Sequence, residues 1–139
     1  MAEIMKKSIA ELNFPEHVRY HHEHVWASLE GDVVRIGISD YAQDQLGDVI
    51  FVELPKVGDH FNRGEEFGVV ESAKSVSTLY MAVSGKIVAL NEDLEATPEL
   101  MNKAPYGDGW IALVKPDERS KILDELLTCE AYKSRLESI

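Results

Sequence analysis

Two β-type runs, Phe67 to Glu71 and Val76 to Val83, stand on either side of the tetrad Ser72-Ala73-Lys74-Ser75. Short runs rich in β-branched and aromatic residues, bounded by turn residues, read as strands. Lys74 lies ten residues after Gly64 and eleven before Gly85. Two strands of similar length therefore rise from glycine turns and meet at a tight turn that displays the lysine. Its neighbours Ser72, Ala73 and Ser75 are small and leave the ammonium unshielded. On spacing alone, Lys74 reads equally well as an acylation site held by the strands beneath it or as an ordinary solvated turn lysine.

The rest of the chain has the same texture. His24 to Leu29 and Val33 to Ile38 flank Glu30-Gly31-Asp32, a hairpin signal. Ser39 to Gly47 reads as one or two helical turns, with Ser39 or Asp40 as the cap and Gly47 as the left-handed stop. Val49 to Leu54 is a strand closed by Pro55 and the Val57-Gly58-Asp59 turn, and Ile87 to Leu90 follows the Ser84-Gly85 turn. A loop is expected from Asn91 to Gly109 and a last strand from Trp110 to Val114. Beyond Pro116-Asp117 a helical tail is expected to align Ile122, Leu123, Leu126, Leu127 and Tyr132 in an apolar stripe. Near the start, Ser8 and Glu11 form a capping box for a short helical turn ended by Pro15. Many short strands at even spacing predict a mainly β protein, a small sandwich or flattened barrel. No linker interrupts it, so residues 1–139 read as one domain with a short N-terminal extension over 1–17.

Composition excludes several classes of function. A chain of 139 residues has room for one domain and one core. It carries 14 basic and 25 acidic residues, a formal net charge of -11. Nucleic-acid binders need basic patches, and membrane-surface helices need a basic polar face, so neither partner is expected. No apolar run is long enough to cross a membrane, and Met1 to Leu12 lacks the apolar stretch of a signal peptide. The single cysteine, Cys129, rules out an intrachain disulfide. A cytoplasmic protein is the expectation.

The segment Gly68-Val69-Val70-Glu71-Ser72-Ala73-Lys74-Ser75 resembles the lipoyl-attachment segment of glycine cleavage system H proteins. Gly37 to Gln43, Leu46 to Pro55 and Val57-Gly58-Asp59 resemble the same family. So do Val83 to Ile87 with Asn91, and Pro105 to Trp110, in the family's order from roughly Val18 to the tail. The resemblance implies a hybrid barrel-sandwich fold, with short helices and a C-terminal helical tail. It implies lipoic acid amide-linked to Lys74, with Glu71, Ser75, His24, Val25 and Thr78 around the arm. It also implies a carrier rather than an enzyme, loaded by a lipoyl ligase or lipoyl-assembly enzymes. Such a carrier visits glycine decarboxylase, aminomethyltransferase and dihydrolipoamide dehydrogenase in turn, bearing an aminomethyl group. Transient visits to several partners favour a monomer. Biotin carriers place Met on both sides of their lysine, whereas Ala73 and Ser75 flank this one.

Two positions depart from the family. H proteins usually read His-Glu-Trp in the first strand and have an aspartate four residues after the lysine; both carboxylates help to hold the charged amine. This chain has His24-Val25-Trp26 and Thr78. Neither Val nor Thr carries a charge to pair with an ammonium. Glu23 would substitute only if the strand register moved by two. The alternative cargo is a sulfur species, as in H-like lipoate-binding proteins that work beside a heterodisulfide-reductase-like complex in bacterial sulfur oxidation. Both cargoes stay open at this point.

Three other features read as structural. His21, His22, Glu23 and His24 contain ligand types for zinc, but in a strand only His22 and His24 would share a face, short of four ligands. Cys129 has no lysine, arginine or histidine beside it in sequence to lower its pKa. Trp26 and Trp110 are expected in the core.

Overall fold

A computed structural model describes residues 8–118 and 122–138. Across the described residues the chain is mainly β and forms two antiparallel sheets. The strands are β1 (Arg19–Tyr20), β2 (Val25–Glu30), β3 (Val33–Ile38), β4 (Val49–Glu53), β5 (His60–Phe61), β6 (Glu66–Ser72), β7 (Val76–Tyr80), β8 (Gly85–Leu90) and β9 (Ala112–Pro116). One sheet runs β1-β2-β3-β9-β8-β5, and the other β4-β6-β7. Val34, Ile36, Val70, Leu79, Ile87 and Val114 are among the buried residues packed between them. This is the sandwich expected from the strand spacing.

The local signals work as their chemistry requires. Gly31 turns the β2–β3 hairpin with a φ of 63°, the left-handed region that glycine enters without steric cost. Helix α1 (Asp40–Leu46) starts where Ser39 accepts the Ala42 N–H and stops at Gly47, φ 77°. At the N-terminus, Glu11 accepts from both the backbone N–H and the hydroxyl of Ser8. Leu12 and Phe14 are buried with Val18, Tyr20 and Trp26 in a second cluster outside the main core, so residues just before β1 are packed.

The structure departs from the sequence expectations in several places. β1 and β5 escape a reading by periodicity, because two residues show no alternation. β2 begins at Val25, not His24; residues 21–24 form a turn in which the His24 N–H donates to the His21 carbonyl, with His24 at φ 71°. The face argument for the histidines therefore fails, and His21 is the buried one. The 91–109 loop contains two one-turn helices, α2 (Asp93–Ala96) and α3 (Leu100–Lys103).

The tail differs as well. It breaks into α4 (Ile122–Glu125) and α5 (Cys129–Glu137), because Thr128 caps a fresh helix start by accepting the Ala131 N–H. Between them the Leu127 and Tyr20 backbones exchange two hydrogen bonds. The stripe is thus divided: Ile122 and Leu126 enter the inter-sheet core, while Tyr132 joins the second cluster. The side chain of Leu123 lies outside the description. In that second cluster Tyr20 and Tyr132 stack at 4.5 Å, and the Cys129 thiol donates to the Phe14 carbonyl at 3.0 Å. Cys129 is a packed residue. Trp26 is buried as expected, but Trp110 is only partly so, with the Arg35 guanidinium 4.7 Å above its ring.

Trp26 sits against Gly37 of β3, and its indole N–H donates to the Pro105 carbonyl. A Cβ at Gly37 would fall 2.7 Å from the indole. Gly37→Ala is expected to cost about 1–3 kcal/mol by overpacking. Gly31→Ala meets no neighbour and is expected to cost about 1 kcal/mol through its left-handed φ alone. Urea unfolding of the two variants, with Trp fluorescence for Gly37→Ala, checks both.

Candidate functional site

The turn between β6 and β7 is closed by a serine. Glu71 pairs with Val76 in register, and the Ser72 N–H donates to the Ser75 carbonyl at 2.8 Å. The buried Ser72 hydroxyl oxygen accepts the N–H groups of Lys74 at 3.3 Å and Ser75 at 3.1 Å, and donates to the Ser75 carbonyl at 3.2 Å. Short hydroxyl side chains that bond their own turn backbone hold it in one shape. The next residue, Ala73, donates its N–H to the Asp48 carbonyl. The apex is therefore pinned both within itself and to the segment after α1.

Lys74 is exposed at this apex. Its side chain passes over Gly47: a Cβ there would lie 3.4 Å from the lysine Cε. Glycine at 47 thus meets two demands, the positive φ that ends α1 and clearance for the lysine stem. Asn102 of α3 holds this corner. Its amide donates to the Gly47 carbonyl at 2.8 Å and to Gln43 Oε1 at 3.1 Å, and its carbonyl accepts the Val49 N–H at 2.8 Å.

Beside the apex lies a groove of about 340 Å³. One wall is Glu23, His24 and Val25; α1 supplies Tyr41, Ala42, Gln45 and Leu46; the hairpin supplies Ser75 to Leu79. Four of the six expected site residues therefore line one space: His24, Val25, Ser75 and Thr78. Lys74 stands at its hairpin end. Glu71 does not line it; it is on β6, opposite Phe51 of β4 and Val76 of β7. Val25 and Thr78, where carboxylates were expected from the resemblance, do border the groove. Glu23 also reaches it, through the 21–24 turn and not through any shift of strand register.

His24 is tied inward. Its Nδ1 lies 2.7 Å from the Tyr132 hydroxyl, which lies 2.8 Å from the Ser39 hydroxyl. Burial lowers the His24 pKa below the ordinary imidazole value, opposed by Glu23 and aided by Arg135 and His22. It is a neutral ring at neutral pH. Burial likewise raises the Tyr132 phenol. Among the described residues, no three His, Cys, Asp or Glu side chains converge on a metal position.

Comparison with known proteins now places the chain. The model of the family described as glycine cleavage H-protein matches residues 18–139. The chain belongs to the glycine cleavage H-protein family. It is 47% identical over 123 residues to the glycine cleavage system H protein of Bacteroides thetaiotaomicron, covering 88% of this chain and 97% of that one. It is 51% identical over 122 residues to that of Geobacillus sp., covering 88% and 95%. The crystal structure of the glycine cleavage system H protein from Mycobacterium marinum superposes with a TM-score of 0.79 at 36% identity, covering 88% of this chain and 98% of that one.

Against that family background, several residues at the site carry no motif signal of their own. Asn102 lies in what reads as a loop, and Tyr132 is 58 residues beyond Lys74 in sequence. Only the capping and stop chemistry at Ser39 and Gly47 points to a defined corner there.

The Ser72 and His21 environments give two tests. Ser72→Ala removes the acceptor of two turn N–H groups and is expected to cost about 1–2 kcal/mol. Faster amide exchange at Lys74 and Ser75 is the accompanying signature. Burial, with lesser contributions from neighbouring His22 and Arg63, lowers the His21 pKa from 6.5 to about 4. A depressed histidine means that the unfolded chain binds a proton the native one refuses, so stability falls as pH drops from about 6.5 toward about 4. His21 Nδ1 accepts the Glu23 N–H at 3.1 Å, a role the Asn carbonyl reproduces. His21→Asn is expected to make that decline shallower in urea midpoints taken across this window.

Proposed function

We propose that this chain is a lipoyl carrier, loaded through an amide at Lys74, that takes a reaction intermediate from one partner enzyme to the next. The observation that carries this reading is the exposed lysine on a hairpin apex pinned by Ser72, with its stem over Gly47 and a groove beside it. An acyl-transfer enzyme needs an accessible amine whose position is reproducible, and this turn supplies both. The residues fit the group: Gly47 gives clearance along the stem, and Leu46, Val25, Val76 and Leu79 give the groove an apolar lining for an alkyl arm. When bound, lipoic acid supplies a dithiolane that opens, carries a group and is restored by thiol–disulfide exchange. The protein supplies position and shelter; it is a cosubstrate and not a catalyst.

The cargo favoured by family membership is the aminomethyl group left from glycine, with glycine decarboxylase, aminomethyltransferase and dihydrolipoamide dehydrogenase as partners in the cytoplasm. Glu23 supports it. That carboxylate lines the groove and stands in for the two acidic positions held by Val25 and Thr78. Glu23 is exposed and its carboxylate lies 3.6 Å from His22 Nε2, so pairing with an amine there contributes at most about 1 kcal/mol, a bias toward retention and not a lock. The surplus of acidic residues, -11 overall, steers the carrier toward basic docking surfaces. A second reading rests on Val25 and Thr78 themselves: with neither acidic anchor present, a sulfur cargo from a heterodisulfide-reductase-like complex meets no unpaired charge.

Intact mass of protein isolated from its native host is expected to show one lipoyl amide, absent from Lys74→Arg. Unmodified wild-type protein would sink the proposal. Loaded protein incubated with glycine, glycine decarboxylase and pyridoxal phosphate is expected to gain one aminomethyl mass. Glu23→Gln is expected to lose that cargo about two- to fivefold faster, the equivalent of one exposed ion pair. Failure of wild-type protein to gain the mass turns the reading to sulfur.

A further inference from the structure

Ser39, Tyr132 and His24 form a hydrogen-bonded wire whose direction follows from proton supply. Ser39 and Tyr132 are fully buried, so each hydroxyl proton needs an acceptor within the protein. The Ser39 oxygen already accepts the Ala42 N–H as the cap of α1. Among the described residues, its other partner is the Tyr132 hydroxyl at 2.8 Å. The serine proton is therefore given to Tyr132, since the Ala42 nitrogen is itself a donor. The tyrosine proton then goes to the remaining neighbour, His24 Nδ1 at 2.7 Å. With Nδ1 accepting, a neutral His24 carries its proton on Nε2.

The rest of the surroundings keep the ring in that form. Arg135 and His22 disfavour a second proton and Glu23 favours it, but burial outweighs them all. Tyr41 packs on the ring at 4.9 Å and limits its rotation. Nδ1 is committed to the interior, while the ring borders the groove, so the edge bearing Nε2 is the one available to a ligand. The turn conformation of His24, φ 71°, is unusual for a residue with a side chain. Such conformations persist where the surroundings over-determine them.

We infer that His24 presents an Nε2–H donor to the groove and holds an acceptor atom of the resting arm, a carbonyl oxygen or sulfur, with Tyr132 as its positioning residue. This rests on the reading of Lys74 as the lipoyl site. It assigns the two polar groups of the wall opposite tasks. His24 donates to the arm, and Glu23 accepts from whatever cation the arm brings. A proton acceptor at His24 would have duplicated Glu23; a donor complements it.

The wire is tested on unmodified protein by nitrogen NMR of 15N-labelled histidines near pH 7.5. His24 is expected to show a protonated Nε2 and an unprotonated Nδ1. Tyr132→Phe keeps the ring packing but removes the donor, and is expected to shift His24 toward a mixture of tautomers. A wild-type Nδ1–H tautomer, or an unmoved tautomer in Tyr132→Phe, overturns the wire. The arm contact is tested on protein loaded by a lipoyl ligase, with loading read by intact mass. After reduction, the arm thiols are titrated with an aromatic disulfide reagent. His24→Ala is expected to react about fivefold faster than wild type, the loss of one ordinary hydrogen bond. His24→Gln, which keeps a side-chain N–H, is expected to lie between them. Loading with equal thiol reactivity in His24→Ala and wild type overturns the arm contact alone. Absence of loading overturns the carrier reading and the arm contact together, while the tautomer result stands separately.

Discussion

The side-chain amide of Asn102 is the junction on which the site's geometry depends. One group holds Gln43 in α1, the Gly47 carbonyl at its end and the Val49 N–H where β4 begins. Those three points set the path of the segment whose Asp48 carbonyl receives Ala73. The lysine apex is thus referenced to α1, and α1 is one side of the groove. A loop held only by its ends would leave the apex and the groove to move independently. Buried or half-buried amides satisfied at both ends make such corners stiff, because breaking any one bond leaves a polar group without a partner.

From that corner the two polar systems divide the work by burial. On the solvent side, Ser72 closes the turn and leaves the ammonium of Lys74 in water. On the interior side, Ser39 and Tyr132 carry hydrogen bonds from the start of α1 to His24. Between them the groove is lined about equally by apolar and polar side chains, with Glu23 supplying a carboxylate. The chain is strongly acidic overall, yet the two groove positions where the family resemblance called for carboxylates are Val25 and Thr78. Val25 is nearly fully buried, and an unpaired carboxylate there would be expensive. Glu23, on an exposed turn, keeps its hydration while still reaching the groove.

Much of the fold was legible because the signals are local. The β2–β3 hairpin, α1 with its cap and stop, the paired strands around Lys74 and the mainly β class all follow from spacing and turn chemistry. What was missed lacked a local signature. β1 and β5 are defined by the strands beside them, not by any pattern of their own. The tail looked like one amphipathic stretch until Thr128 capped a second helix and Leu127 paired with Tyr20. By its place ahead of Val25-Trp26, His24 reads as the first residue of a strand, but the His21 carbonyl draws its N–H into a turn. That single change brought Glu23 to the groove without a register shift.

The amino-acid sequence by itself determined the hairpin, the small residues around Lys74, the family and the loss of acidic side chains at positions 25 and 78. These are properties of neighbouring residues, set by turn propensity and strand pairing at short range. Only the tertiary structure decided which distant groups share the groove: Tyr132 from the last helix on His24, Asn102 from α3 under Gly47, and Glu23 in the wall while Glu71 stays outside it. Such contacts join residues tens of positions apart. Their geometry comes from the packing of the sheets and the docking of the terminal segments, which no local pattern encodes.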